Sequence, residues 1–489
     1  MLLVALTWML AVEAQELPAD STCLADSMAY EMPESLPTEQ QKHPWRATGE
    51  VIGSNIITNL FSRFILREPF ANTSLKTIRN NIKAGFAWDD DYFYVNNVGH
   101  PYQGSAYFNA ARDNGYNFWQ SLPFTTFGSL TWEFFCEKEH PSINDLITTT
   151  LSGTLFGEVS HRMSLQFIDE SDTGLKRFFR EFATTLVNPV GEFNRLISGR
   201  AWKVRRKVSD EHDAVYSLTL GDRCLIASDD MSYRRHQVFV TLTMECGDVA
   251  DGENHFNPYD FFSFDGSFAF GKKQHLLSHL HLTGRICSMP ILTKENARGE
   301  LGLYQYYHYD DTRLLGDSIR TPFPFGETAS LGPGLMFVFP HVTPHISIEQ
   351  RFFTKAILLG SVKSDYYQFY YRTYNMGSGF GATAISKMTW KNVLNLQLKA
   401  HYMRLYTWKG YEPRDISVIK FDTFNYLNVL GDRSDAHLLN LDLQAVFILS
   451  SDIGLALGST FTTRRTHYKY HPRQQADGYE FRAGLEWHF

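Results

Sequence analysis

The sequence predicts a mainly β fold with a helical N-terminal part, namely an antiparallel transmembrane β-barrel of about 12 strands with a helical plug or periplasmic cap. Three observations predict this fold. Apolar and polar residues alternate along several runs in the C-terminal part of the chain. Aromatic residues make up 15% of the sequence, which is typical of the aromatic belts of membrane barrels. Beyond the N-terminus, no uncharged apolar stretch approaches the roughly 18 residues of a membrane helix.

The alternation is clearest in residues 439–449. Every second residue there is apolar, and the residues between them include Asp442 and Gln444. Residues 394–402 and 478–489 follow the same pattern, so each predicted strand has one apolar and one polar face. In a soluble sandwich the apolar face is the inside, whereas in a membrane barrel it faces lipid. At about 24 residues per strand and turn, this part of the chain accommodates roughly ten to fourteen strands.

The chain divides into four parts by composition. Residues 15–48 are rich in Glu, Pro, Ser and Gln, which predicts a flexible periplasmic arm. An apolar-periodic segment then opens a mostly helical block. The four predicted parts are a signal peptide (1–14), the arm (15–48), the helical plug or cap block (49–200) and the barrel (201–489).

Both ends of the chain indicate export. Residues 1–14 have an apolar core and end in Val12-Glu13-Ala14, similar to a signal-peptide cleavage site, although no basic residues precede the core. The last strand ends at Phe489 with aromatic residues at alternate positions before it. This resembles the C-terminal strand of bacterial outer-membrane barrels, in which the assembly machinery reads a terminal Phe. The resemblance implies a Gram-negative outer-membrane location, with that machinery as a partner.

Charge and cysteine content argue against several other functions. The net charge is −7 and no run of Lys and Arg forms a basic stripe, so we expect no nucleic-acid partner. The five cysteines are widely spaced without a C-x-x-C pair, which supports neither a zinc site nor a disulfide framework. We therefore expect no metal and no cofactor.

The stretch 96–158 carries most of the candidate chemistry. Ser142, with an acidic residue three places on, has the pattern of a helix N-cap. Gly153 and Gly157 lie four apart, so they leave a small-residue face for close helix packing. Glu133 lies on the polar side of an aromatic helix together with Ser129 and Glu137.

His100, Arg112, Glu133 and Asp145 are the candidate site residues in this stretch, because buried charges must be paired or hydrogen-bonded. In a structural interpretation, His100 fixes the turn at Pro101, and the two carboxylates pair with Arg112 or Arg162 to hold the helices together. In a catalytic interpretation, His100 is a general base or ligand, Glu133 or Asp145 orients it, and Arg112 holds an anionic group. The lack of G-x-S-x-G and H-E-x-x-H motifs favours the structural interpretation.

Two further sets of residues have two interpretations each. His279, His281 and Arg285 share one face of a predicted strand and could bind a metal or an anion, but an ordinary lumen lining is favoured. The run 89–91 has three consecutive Asp residues that could hold calcium. A solvated turn is favoured there, because calcium loops alternate their ligands with spacers and glycine.

The motifs His100-Pro101-Tyr102-x-Gly104, Ala111-Arg112, Trp132-Glu133 and Pro141-Ser142-x-x-Asp145-Leu146-Ile147, ahead of a terminal barrel, resemble a Bacteroidota outer-membrane family known as a domain of unknown function, DUF3943. The resemblance spans most of residues 80–200 and implies a location rather than a reaction. Two functions are therefore expected. The first is a plugged barrel with a structural, transport or envelope role, and the alternative is an outer-membrane enzyme that modifies lipid or lipopolysaccharide. Outer-membrane lipid and lipopolysaccharide are the expected partners.

Overall fold

A computed structural model describes residues 41–203, 214–227, 234–271, 274–313, 321–366, 372–412 and 428–489. The predicted signal peptide and residues 15–40 of the predicted arm lie outside the described residues. The first helix begins at Pro44, inside the predicted arm, because proline at the first helical position has no N–H to leave unpaired. Within the described residues, no helix combines the length and the apolar character needed to cross a membrane.

Twelve antiparallel strands form a closed barrel, in which each strand pairs with its sequence neighbours and β1 pairs with β12. This confirms the predicted fold class and strand number. The strands are β1 Ala214–Ala227, β2 Arg234–Cys246, β3 Phe262–Phe270, β4 Leu277–Lys294, β5 Ala297–Asp310, β6 Phe325–Thr343, β7 Ile346–Lys363, β8 Tyr374–Trp390, β9 Leu394–Thr407, β10 Ser434–Ile448, β11 Ile453–Tyr468 and β12 Gln474–His488.

Helices fill the described chain ahead of the barrel. They are α1 Pro44–Phe61, α2 Leu75–Ala84, α3 His100–Arg112, α4 Phe118–Phe135, α5 Ile143–Ile147, α6 Gly153–Phe167, α7 Gly174–Val187 and α8 Pro189–Ile197, with π-helical turns at Ser62–Leu66, Val95–Gly99 and Thr148–Ser152. As predicted, α5 starts after Ser142, whose hydroxyl accepts a hydrogen bond from the Asp145 amide at 3.2 Å. The predicted small-residue face also packs closely, since a methyl group on Gly153 would lie 2.6 Å from Gly104 Cα of α3.

Two contacts between distant strands identify the inner face of the barrel. Lys399 Nζ of β9 lies 3.0 Å from His281 Nδ1 of β4, and Arg351 of β7 donates to Glu245 of β2 at 2.9 Å. Neither pair of strands is adjacent, so both contacts cross the lumen. The side chains that alternate with these residues consequently point outward.

The outer face is apolar and the inner face is polar, as the alternation predicts. On β10, Leu441, Leu443 and Phe447 are exposed on the outside, whereas Asp442 and Gln444 line the interior. The turns 295–296 and 344–345, which join β4 to β5 and β6 to β7, are only two residues long. They lie at the end of the barrel where β1 begins and β12 ends. The described ends of the connections from β5 to β6 and from β9 to β10 lie at the other end.

The helices pack against the outer wall of the barrel. On β5, Asp310 faces the lumen, because it pairs with His281 and His308 at 3.0 and 2.9 Å. Tyr307 and Tyr309 alternate with these inward residues and point outward. The Tyr307 hydroxyl donates to the Asn97 carbonyl, its ring meets the Phe156 ring edge-on at 4.7 Å, and Phe93 stacks on Tyr309 at 5.4 Å.

This wall contact continues toward the short-turn end of the barrel. There, Arg162 Nη2 of α6 donates to the Pro258 carbonyl at 2.8 Å, and Phe118 of α4 packs on Tyr259 at 5.4 Å. The helices that make these contacts therefore flank the barrel and do not fill its lumen. The predicted plug is corrected accordingly, because the aromatic residues that bind these helices belong to the outward face of the wall, whereas the predicted periplasmic cap stays a prediction.

Candidate functional site

Three of the four candidate residues from stretch 96–158 come together between the helices. His100 begins α3, Glu133 lies in the last turns of α4, and Asp145 lies in the first turn of α5. One ligand atom from each of the three side chains lies within 4.8 Å of the other two. The residues are only 5%, 1% and 1% exposed, respectively.

Each carboxylate has one oxygen that is held and one that is free. Glu133 Oε2 accepts a 2.7 Å hydrogen bond from the Ser142 amide, and Asp145 Oδ1 accepts one of 3.0 Å from Asn144 Nδ2. Within the described part of the chain, no N–H group or hydroxyl donates to Glu133 Oε1 or Asp145 Oδ2, and His100 Nδ1 has no hydrogen-bond partner, although the Asp145 carboxyl group also contacts Asp89. The other ring nitrogen, His100 Nε2, faces Asp145 Oδ1 at 3.4 Å. Buried polar atoms without partners are rare in proteins, so three at one place indicate a site.

Asp89 lies beside these three residues, although the sequence analysis favoured a solvated turn at this position. Its Oδ1 accepts a 2.7 Å hydrogen bond from Asn144 Nδ2, and its amide donates to Asn144 Oδ1 at 3.1 Å. Pairing of Ala87 with Ser142 in a parallel β-bridge holds this segment against the start of α5. We call His100, Glu133, Asp145 and Asp89 the polar cluster. Only the pairing between residues far apart in sequence reveals Asp89 as a member.

Burial determines most of the protonation in the polar cluster. Loss of solvent lowers the pKa of His100 to about 4, and the same loss raises the pKa of Glu133 well above its ordinary value. Burial, together with the charge of Asp89, also raises the pKa of Asp145. Burial also raises the pKa of Asp89. Hydrogen bonds from Asp145 and Asn144 lower this pKa by more, so that it ends below its ordinary value.

Arg112 does not join the polar cluster, which corrects the prediction. It lies at the far end of α3, about 18 Å along the helix axis from His100. Its guanidinium donates to both oxygens of Glu158 at 2.7 and 3.1 Å, and Arg162 donates to Glu158 at 2.8 Å. The predicted ion pairs of Glu133 and Asp145 with these arginines are therefore wrong, because Glu158 takes both partners.

A different arginine stands beside the polar cluster. Arg372, just before β8, is 1% exposed, and its Nη1 donates to the Leu430 carbonyl at 3.3 Å. Its Nε and Nη2 have no partner among the described residues. The positive charge of Arg372 acts on Asp90. Burial raises the pKa of this carboxyl group to about 6, and Arg372 opposes that increase. The sequence analysis missed Arg372, because this residue lies more than two hundred positions beyond the stretch 96–158 and belongs to no motif.

Tyr374 connects the barrel to the polar cluster. Its hydroxyl accepts from Asn96 Nδ2 at 2.6 Å and donates to the Asp91 carbonyl at 2.9 Å. Asn96 in turn donates to Asp89 Oδ1 at 3.3 Å and accepts from Asn144 Nδ2 at 3.1 Å. This chain of amides and hydroxyls fixes the polar cluster relative to the outer wall.

The lumen candidates form two separate networks. His279 and His281 face Asp265 and Asp310 at 3.0 Å each. Arg285 instead pairs with Asp260 at 2.8 Å and with Glu300 at 2.9 Å. The two histidines and Arg285 each have their own partners, an arrangement that agrees with an ordinary lumen lining.

A comparison with known families agrees with the sequence resemblance. Residues 85–190 match the model of a family described as "Domain of unknown function (DUF3943)". No curated protein matches the chain. Among solved structures, the chain is similar to the NanC porin at 9% identity and a TM-score of 0.26, covering 54% of this chain and 98% of that one.

Two further similar structures are also porins or outer-membrane proteins by their descriptions. One is the KdgM porin in complex with disordered oligogalacturonate, at 8% identity and a TM-score of 0.22, covering 55% of this chain and 98% of that one. The other is OmpT, an outer membrane protein of Vibrio cholerae, at 7% identity and a TM-score of 0.24, covering 58% of this chain and 99% of that one.

Proposed function

We propose that the protein is an integral outer-membrane protein whose closed barrel anchors a lipid-facing helical domain, and that the polar cluster of this domain acts on an outer-membrane lipid with an anionic headgroup. Phospholipid and lipopolysaccharide are the two substrate classes with that chemistry. Assembly would proceed through the barrel assembly machinery, which would recognise the strand that ends at Phe489.

The surface of the helical domain supports contact with lipid. Helix α1 packs its inner face on α3 and α4, where Asn55 Nδ2 donates to the Gly128 carbonyl at 3.0 Å. On the outer face and in the π-helical turn that follows, Ile57, Phe64 and Ile65 are between 64% and 69% exposed. A contiguous apolar surface of this kind is costly in water and is typical of a membrane or protein contact. It belongs to the same domain that covers the apolar outer wall of the barrel.

The lumen supports an anchoring role over a transport role. A cavity of about 500 Å³ remains inside the barrel. Cross-lumen contacts such as Arg351 to Glu245 and Lys399 to His281 nevertheless join opposite walls. The ion pair of Arg351 with Glu245 resists separation, because Arg351, which is only 3% exposed, would lose its bidentate partner. A solute would have to break these contacts to pass.

The single observation that carries the proposal is the polar cluster itself, buried on the lipid side of the wall. Ligand atoms of His100, Glu133 and Asp145 lie within 4.8 Å of one another, and Arg372, whose charge acts on Asp89 and Asp90, has two N–H donors without a partner among the described residues. Guanidinium donors match phosphate and carboxylate oxygens, so Arg372 would position the anionic headgroup in the role predicted for Arg112. His100, Glu133 and Asp145 would form the reactive centre.

A lipid comparison tests this proposal. Outer membranes from cells that express the wild-type chain, Glu133→Gln or Glu68→Gln are extracted, and phospholipids and lipid A are compared by mass spectrometry. Glu68 is exposed and lies outside the polar cluster, so it serves as the matched control. We expect one lipid species to change with the wild type and with Glu68→Gln but not with Glu133→Gln. Identical lipids in all three strains, together with solute uptake that depends on the protein, would replace the proposal with a transport function.

A further inference from the structure

We propose that His100, Glu133 and Asp145 bind a divalent first-row transition-metal ion, in a site that the helices and the β-bridged segment preorganise. The inference deepens the proposed function, since it assigns His100 as a ligand instead of a general base. It does not depend on which lipid is the substrate, because the site is defined by the geometry of its side chains.

The separations suit a metal ion. Tetrahedral metal bonds of 2.0–2.2 Å to nitrogen and carboxylate oxygen place ligand atoms about 3.3–3.6 Å apart. The three side chains offer ligand atoms that all lie within 4.8 Å of one another. His100 Nε2 and Asp145 Oδ1 are 3.4 Å apart, which is long for a hydrogen bond but matches the edge of a tetrahedral site. The three side chains would have to close on an ion to complete the coordination.

Supporting hydrogen bonds orient the carboxylates as expected around a metal. The Ser142 amide holds Oε2 of Glu133 and leaves Oε1 free for an ion, while Asn144 Nδ2 orients Asp145 by donating to Oδ1, the oxygen that faces His100 Nε2. Metal ligands are typically oriented in this way by hydrogen bonds from neighbouring groups. Burial disfavours the charged form of both carboxyl groups, and a bound cation would offset this cost.

The donor set indicates the class of ion. One imidazole nitrogen and two carboxylate oxygens favour Zn²⁺, Mn²⁺ or Fe²⁺ over Ca²⁺, which prefers six to eight oxygen ligands. Asp89, hydrogen-bonded through Asn144 to the same site, adds negative charge on the side that is partly open to solvent. An ion held here would polarise a phosphoryl or carbonyl oxygen of a bound headgroup.

A second His and carboxylate group, in the lumen, provides a contrast. His281, His308 and Asp310 also lie close enough to hold an ion. Both histidines, however, already face Asp310 at about 3 Å, and Lys399 Nζ lies 3.0 Å from His281 Nδ1. An ammonium group in contact with one potential ligand repels a metal cation. The lumen group therefore serves as an internal control for the site in the helical domain.

Metal content tests the inference directly. The full-length protein is purified from outer membranes in detergent without chelator, and bound metals are measured by inductively coupled plasma mass spectrometry. Samples are the wild type, His100→Ala, Glu133→Gln, Asp145→Asn and the lumen control His308→Ala, each checked for heat-modifiable gel migration. We expect about one transition-metal ion per wild-type chain, and a loss of about tenfold or more in the three variants of the polar cluster but not in His308→Ala.

The outcomes separate this inference from the proposed function. Wild-type protein without transition metal, even after incubation with Zn²⁺, Mn²⁺ and Fe²⁺, would overturn the metal site while leaving lipid chemistry open. Loss of metal in His308→Ala with retention in Glu133→Gln would also overturn it.

Glu133→Gln and Asp145→Asn keep side-chain volume. If neither variant folds, a wild-type unfolding temperature that falls with EDTA and recovers with Zn²⁺ supports the site, and an unchanged temperature refutes it. Bound metal without any lipid change would refute the proposed function alone.

Discussion

Arg351 on β7 donates hydrogen bonds of 2.9 Å from both terminal nitrogens to the two carboxylate oxygens of Glu245 on β2, five strands away around the barrel. This bidentate pair crosses the lumen, and Lys387 also donates to Glu245. A two-point contact between planar groups fixes both position and orientation. The barrel is thereby braced from inside, which suits a rigid support for a domain on its outer wall.

Removing Glu245 should weaken this brace. In Glu245→Gln the guanidinium of Arg351, only 3% exposed, loses its bidentate partner. Arg351 keeps Glu349 as a partner and the Glu245 side chain is 36% exposed, so the loss costs on the order of 1–2 kcal/mol, and we expect a lower temperature for the heat-induced gel shift. We also expect higher ion conductance in planar bilayers. The control is Glu253→Gln, which changes an exposed carboxylate in the turn before β3. Equal heat stability and equal conductance for the two variants would contradict a braced lumen.

The ion pairs of Glu158 should make the helical domain sensitive to acid. Burial raises the pKa of this carboxyl group, but the charges of Arg112 and Arg162 outweigh burial and lower the pKa below its ordinary value of 4.5. A lowered pKa in the folded protein contributes stability that is present above the ordinary value and is lost as the pH falls through the folded value. Between pH 5 and 8 we expect Glu158→Gln to unfold more easily by about 3 kcal/mol.

The difference between wild type and Glu158→Gln should shrink as the pH falls below about 4, since the wild-type carboxylate then becomes protonated. The measurement is protease resistance of the helical domain against temperature at each pH. Glu68→Gln, at an exposed position, should follow the wild type throughout. A gap between Glu158→Gln and wild type that widens toward acid pH would rule out this account of the pair.

The close packing of α3 on α6 should not tolerate a methyl group. In Gly153→Ala the new carbon would lie 2.6 Å from Gly104 Cα, so the helix backbones would have to separate. Overpacking of this type costs about 1–3 kcal/mol, and we expect earlier unfolding of the helical domain in limited proteolysis. Gly53→Ala in α1 is the matched control, because open space surrounds that position and alanine favours a helix. Equal proteolysis of both variants would show that the helices are not in close contact.

Local patterns in the sequence were sufficient to predict the barrel. Alternation with period two identifies the apolar face of strands such as β10, and the run lengths give a strand number near twelve. The N-cap at Ser142 and the small face at Gly153 also follow from short-range rules. All of these features depend on residues close together in the chain.

Long-range partners could not be predicted in the same way. Periodicity shows that a helix has an apolar face but does not show which surface covers it. The contact of Phe93 and Phe156 with the outward tyrosines of β5 could therefore not be predicted. Arg112 looked like a partner for Glu133 because the sequence does not specify how α3 is placed against α4. Asp89 looked solvated, because its partner Asn144 is 55 residues away.

The most direct test of the central claim, that the helical domain faces lipid on the outer wall, is fluorescence quenching by brominated lipid. Single cysteines at Ile57, Leu443 and Gln444 are labelled with bimane in a chain whose native cysteines are alanine, and the protein is reconstituted into brominated phosphatidylcholine. Leu443 is the outward reference and the neighbouring Gln444 is the lumen reference. Our account predicts quenching at Ile57 as strong as at Leu443. Quenching at Ile57 no stronger than at Gln444 would contradict it.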